Sequence, residues 1–125
     1  MKKVKFEVKI ADFGFSKFLS SKNERSNTMC GTPLYMAPQL VEDIKYTYKA
    51  DTWSLGVLFF ELLTGNHPFN GRNLEQLGQN LHTGTYVLNM NSRPSLECVQ
   101  VICGCLQHNE DERLSIIDLA EYPYL

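Results

Sequence analysis

What this sequence lacks closes off whole classes of function. It has no apolar run long enough to cross a bilayer. The longest apolar stretch, residues 50 to 64, is interrupted by Asp51, Ser54 and Glu61. Neither charge sign dominates: 12 basic against 14 acidic side chains leave a net charge of -2, which gives nucleic acid or an anionic membrane nothing to bind. The 4 cysteines follow no regular spacing, and free thiols in a reducing compartment suit them better than a disulfide framework. The opening residues, Met-Lys-Lys-Val-Lys-Phe-Glu-Val-Lys-Ile, alternate charge with hydrophobe and do not form the apolar core of a signal peptide. These features lead us to expect a cytoplasmic protein with no membrane span and no nucleic-acid partner.

What is present fits one domain: 125 residues, 43% of them hydrophobic, can bury a real core. Residues 50 to 64 are expected to form its centre. Trp53, Leu55, Val57, Leu58, Phe59, Phe60, Leu62 and Leu63 fall on every face of a helix that stops at Gly65, and a helix apolar all round belongs in the interior. The alternation over Val4 to Ile10 predicts a short strand, and the polar stretch 16 to 29 an exposed loop. Surface helices are expected over residues 73 to 82 and over 95 to 106, the latter with an apolar face of Leu96, Val99, Ile102 and Leu106. Cys98, Cys103, Cys105 and His108 could together be read as a metal site. Their spacing matches no standard zinc pattern, and packing as small hydrophobes is the simpler reading. His67 and His82 are expected on turns and surface.

Asp12-Phe13-Gly14 at the end of the expected strand is, taken alone, a common turn tripeptide. Its context changes that. It is followed by a polar loop, then Gly31-Thr32-Pro33-Leu34-Tyr35-Met36-Ala37-Pro38, then Ala50-Asp51-Thr52-Trp53-Ser54-Leu55-Gly56-Val57. In order and spacing these blocks resemble the eukaryotic serine/threonine protein kinase domain from its metal-binding Asp to the end of its activation segment. Asp111-Glu112-Arg113-Leu114 followed by residues 115 to 121 resembles the family's closing Arg and last helix, and Tyr122-Pro123-Tyr124-Leu125 its usual ending, so the resemblance covers nearly the whole chain. Within the family, Ala-Asp-Phe-Gly-Phe-Ser and Thr-Met-Cys-Gly-Thr-Pro are most similar to the autophagy-initiating (ULK-type) kinases.

The resemblance implies a mainly α fold, the C-terminal lobe of a kinase domain with helices around residues 50 to 64. Residues 1–125 would be a partial kinase domain, with residues 12–39 as its activation segment. Asp12 would hold Mg²⁺ between the phosphates of ATP, with Phe13 packing to set the active position and Gly14 allowing the turn. Thr28 would be the activation-loop phosphosite, held when phosphorylated by an Arg of the catalytic loop. Gly31, Thr32, Pro33, Leu34 and Tyr35 would form the floor that receives a protein substrate. Asp51 matches a buried Asp that ties the central helix to the catalytic loop; otherwise it is a helix cap. Gln39 stands where the family has a Glu paired with the Arg matching Arg113. That change implies a looser anchor, weakened by about 1–2 kcal/mol, with Arg113 turning to Glu110, Asp111 or water.

The chain holds no Gly-rich phosphate loop, no Val-Ala-Ile-Lys strand and no His-Arg-Asp-x-x-x-x-Asn catalytic loop. In kinases all of these precede Asp-Phe-Gly. Phosphoryl transfer depends on positioning and charge stabilisation, so this chain by itself is expected to be inactive. Two readings follow: the C-terminal part of a Ser/Thr kinase that uses ATP and Mg²⁺ when intact, or a degenerate lobe serving as a binding or scaffold module for a protein partner.

Overall fold

A computed structural model describes residues 7–18, 32–88 and 94–122. Within them the chain is helical: a 3-10 turn at Pro33–Tyr35, then α1 (Pro38–Val41), α2 (Lys49–Thr64), α3 (Leu74–Thr83), α4 (Leu96–Cys105) and α5 (Ile116–Ala120). Helix starts follow their capping chemistry. Asn73 accepts from the Gln76 amide to open α3, Ser95 accepts from the Cys98 amide to open α4, and Ser115 and Asp118 form a reciprocal capping box at α5. Gly65, at φ 74°, ends α2 in the left-handed conformation that glycine adopts without steric cost.

α2 is the centre of the packing. Trp53, Val57 and Phe60 are buried on its inner side, with Met36, Leu40, Leu77, Leu81 and Ile102 closing around them. Trp53 stacks on Phe69 with ring centroids 5.6 Å apart, and Tyr86 meets both Phe69 and Phe60 edge-on. The expectation that α2 is buried on all sides is corrected, however. Leu58 and Leu62 are 41% and 74% exposed, so one flank of the helix is open.

The expected N-terminal strand is also corrected over the residues described. Residues 7–10 are not a strand, and Val8 and Ile10 are 90% and 85% exposed. Alternation prescribes a strand only when a neighbour completes the ladder, and no neighbour among the described residues does so. The remainder of that stretch, residues 4 to 6, lies outside the described residues, as does most of the predicted 16 to 29 loop. Of the face expected for α4, Ile102 and Leu106 are buried, while Leu96 is exposed, and the burial extends to Val101 and Cys105, which lie outside that expected face. The reason lies in the partner helix. α4 packs along α2 at Gly56, where an added Cβ would stand 2.5 Å from the Cys105 Cβ and 3.1 Å from Leu106.

That contact sets a sign. In an open helix Gly→Ala stabilises by about 0.5–1 kcal/mol. Here the clash is with a fully buried Cβ on a packed helix, and overpacking of that kind costs about 1–3 kcal/mol. Gly56→Ala is therefore expected to destabilise the chain by about 1–2 kcal/mol in urea unfolding. A neutral or stabilising result would mean that α2 and α4 do not approach this closely.

Candidate functional site

Residues 32 to 41 form a platform fastened to α2. The Ser54 hydroxyl donates to the Tyr35 carbonyl at 2.8 Å, and the Tyr35 hydroxyl donates to the Glu61 carboxylate. His67 meets the Tyr35 ring edge-on at 5.2 Å and stands 3.8 Å from Glu61. Ser54 and Glu61, seven residues apart, lie two turns apart on the same face of the helix. Two of the three polar interruptions of the apolar helix, Ser54 and Glu61, are thus groups that hold the platform. The bond to Glu61 stabilises the protonated phenol, so the Tyr35 pKa is raised. His67, expected as a plain turn residue, belongs to this cluster.

The other end of the platform is held by Arg113. Gln39 and Arg113 are 7% and 1% exposed, and Arg113 Nη2 donates to Gln39 Oε1 at 2.9 Å. The rest of the guanidinium is also used. Nε donates to the Gln107 carbonyl at 2.9 Å, Nη1 to the Lys49 carbonyl at 3.1 Å and Nη2 also to the His108 carbonyl at 3.2 Å. The guanidinium carbon lies 5.1 Å from the centre of the Trp53 ring. The expectation that Arg113 turns to Glu110, Asp111 or water is corrected. The Glu110 carboxylate instead accepts from the Thr47 amide, and Lys49 Nζ donates to the carbonyls of Glu110 and Asp111. Burial pushes the Arg113 pKa down to about 10, partly opposed by the nearby Glu110 charge.

The other expected site residues stand apart from this anchor. Thr32, Pro33, Leu34 and Tyr35 are in the platform; Gly31 and Thr28 lie outside the described residues. Asp12 is exposed at φ 61°, its turn closed by Ser16, which donates to the Phe13 carbonyl at 2.7 Å through its hydroxyl and at 3.0 Å through its amide. Phe13 is 65% exposed and belongs to neither core cluster of the described residues. Asp51 does not cap α2, whose N-cap is Tyr48. It sits in the first turn with an exposed side chain, though the surrounding protein still desolvates the carboxyl enough to raise its pKa. Cys105 is fully buried, and burial pushes its thiol up to about 11, as befits an unreactive packing residue.

The family model described as "Protein kinase domain" matches residues 1–125. The chain belongs to the protein kinase domain family. Similar proteins are serine/threonine kinases by name. ATG1c of Arabidopsis thaliana is 40% identical over 95% of this chain and 16% of its own length. ATG1 of Komagataella pastoris is 36% identical over 94% of this chain and 15% of its own length. Nek9 of Mus musculus is 34% identical over 94% and 12%. The chain therefore spans less than a fifth of the length of these curated relatives.

Two predictions test the fastening of the kinase platform. Lysine cannot reproduce the fork that reaches four oxygens, so Arg113→Lys leaves buried carbonyls unpaired and should cost about 2–4 kcal/mol in urea unfolding. A cost within about 0.5 kcal/mol of zero would mean that Arg113 does not anchor the platform. The second concerns pH. A phenol whose folded pKa is raised contributes stability that is complete below its ordinary value of 10.0 and is lost as pH climbs past it. Tyr35→Phe should thus be less stable than the parent chain at neutral pH, with the gap closing above pH 10. A gap that widens with pH would contradict the Tyr35–Glu61 bond.

Proposed function

We propose that this chain is the C-terminal part of a serine/threonine kinase domain, supplying the activation segment (residues 12–39) and the protein-substrate floor of an enzyme whose remaining catalytic groups lie elsewhere. The observation that carries this reading is the platform. Thr32 to Tyr35 are held by Ser54 and Glu61 on one side and, through Gln39, by Arg113 on the other, and a fixed segment of this kind supports the reading of a substrate floor. In the intact protein, Gly31 would complete that floor and Thr28 would be the phosphosite.

The described residues do not by themselves make a site for Mg²⁺ and ATP. Asp12 offers one hard oxygen, and Mg²⁺ demands an octahedral set. Asp12 belongs to no group of three potential metal ligands among the described residues, and Phe13 beside it is open to solvent. Asp12 is thus one ligand of a set completed by other parts of the domain and by the nucleotide. This chain alone supports no step of phosphoryl transfer.

A second reading, a degenerate lobe acting as a binding module, draws support from the open apolar flank of α2 at Leu58 and Leu62. One experiment separates the two. The chain alone, given Mg²⁺, ATP and a Ser/Thr peptide, should show no turnover. Fused in frame behind the preceding kinase segment of an ATG1 relative, it should phosphorylate the peptide, and Asp12→Ala should reduce that rate by about 10²-fold or more. A folded but inactive fusion would favour the binding module. Turnover by the chain alone, or a fusion indifferent to Asp12→Ala, would overturn the kinase reading.

A further inference from the structure

Three side chains from separate parts of the sequence converge beside the Gln39–Arg113 anchor. Glu42 closes α1, His82 stands in the last turn of α3, and His108 follows α4. One potential ligand atom from each lies within 4.8 Å of the others. His108 Nε2 is 3.6 Å from Glu42 Oε1, too far for a hydrogen bond, and that nitrogen is buried with no hydrogen-bond partner among the described residues. The His82 and His108 rings meet edge-on with centroids 5.7 Å apart.

An ion pair between Glu42 and a protonated His108 would account for two of these groups. It leaves unexplained why a second imidazole is turned into the same space. Two imidazoles and one carboxylate form a known ligand set for zinc, with bonds of about 2.0–2.2 Å and a fourth position left for water. Around a tetrahedral ion with such bonds, neighbouring ligand atoms stand about 3.3–3.6 Å apart. The Glu42–His108 separation of 3.6 Å already meets that spacing. Glu42 and His82 are exposed side chains, free to close the remaining gap by small rotations about χ. Mg²⁺ and Ca²⁺ prefer all-oxygen shells and fit this set poorly.

We propose that Glu42, His82 and His108 bind Zn²⁺, clasping α1, α3 and the segment after α4. Cys98, Cys103 and Cys105 are not members of this group; His108 is, with different partners. The clasp reaches the anchor through one residue. The His108 carbonyl accepts from both Gln39 and Arg113, so a metal on its ring restrains the same segment that holds the platform.

The test uses the full 125-residue chain, reduced, titrated with Co²⁺ as a spectroscopic probe and then with Zn²⁺. One equivalent of Co²⁺ should give visible d–d bands without thiolate-to-cobalt charge transfer, and Zn²⁺ should displace it and raise the melting temperature. Loss of an outer-shell partner alone costs a metal site about 10–100-fold in affinity, so loss of a direct ligand should cost at least that much. Both His82→Ala and Glu42→Gln should show it. Both positions are exposed, so the metal-free variants should melt with the parent chain; if one does not, the other carries the comparison. Failure to bind, a thiolate charge-transfer band, or a Zn²⁺ affinity unchanged by these substitutions would overturn the proposal.

Discussion

Each packed helix of the described chain either holds an oxygen against the guanidinium of Arg113 or rests on an element that does. Lys49 brings the start of α2, Gln39 brings α1 and the platform, and Gln107 and His108 bring the segment that leads to α5. α3 joins through α1, and α4 through α2. A buried cation is costly, and the lowered pKa of Arg113 records that cost. It is offset by four hydrogen bonds to oxygen and by the face of Trp53, and no ion pair to Arg113 is present among the described residues. A charge neutralised by dipoles fixes directions in a way that an apolar replacement could not. It also makes the anchor intolerant of a cation with different geometry.

Seen from Arg113, Gln39 is not a weakened glutamate. Its amide oxygen accepts from Arg113 while its nitrogen donates to the His108 carbonyl at 2.9 Å. A carboxylate there would strengthen the first bond and leave the second carbonyl facing another oxygen. The amide therefore grips the segment between α4 and α5 at two points, His108 and Arg113, where a carboxylate would grip it at one. The charge lost relative to the family pattern is partly returned by Glu110, whose field favours the protonated guanidinium.

Local signals account for most of what could be read from the chain alone. The expected helices at 50 to 64 and 73 to 82 stand at Lys49–Thr64 and Leu74–Thr83, because periodicity and caps are short-range properties of the chain. The last helix, expected over 115 to 121 from the family resemblance, stands at Ile116–Ala120. The motifs singled out Thr32 to Tyr35 as a substrate floor and Gln39, Asp51 and Arg113 as structural; Gln39 and Arg113 bond to each other, while Asp51 is exposed. What escaped was settled between distant residues. The strand lacked a ladder partner among the described residues. The extra burial of Val101 and Cys105 on α4 depends on its close approach to Gly56 on another helix, since Val, Ile, Leu and Cys occupy more than one of its stripes. Ser54 and Glu61 read as interruptions because their partner, Tyr35, lies far back in the sequence. No spacing rule could have brought His108 to Glu42 and His82.

The open flank of α2 has its own logic. Asp51, Leu55, Leu58 and Leu62 follow one another at helical spacing, so they form a single stripe. The inner stripe of Trp53, Val57 and Phe60 is buried by the rest of the chain, while Leu58 and Leu62 are not. A helix with apolar residues on opposite sides is built for two neighbours, and the described residues supply one. The curated relatives extend far beyond the matched region, which in ATG1c is only 16% of the length. Complete burial of a leucine is worth about 1.5–3 kcal/mol, and these two have a little over one leucine's worth still exposed, so covering the pair could add about 2–3 kcal/mol to a domain whose whole stability is of the order of 5–15 kcal/mol. Whatever completes this face therefore decides more than shape. It sets whether the platform anchored by Arg113 is held by a marginal fold or a secure one.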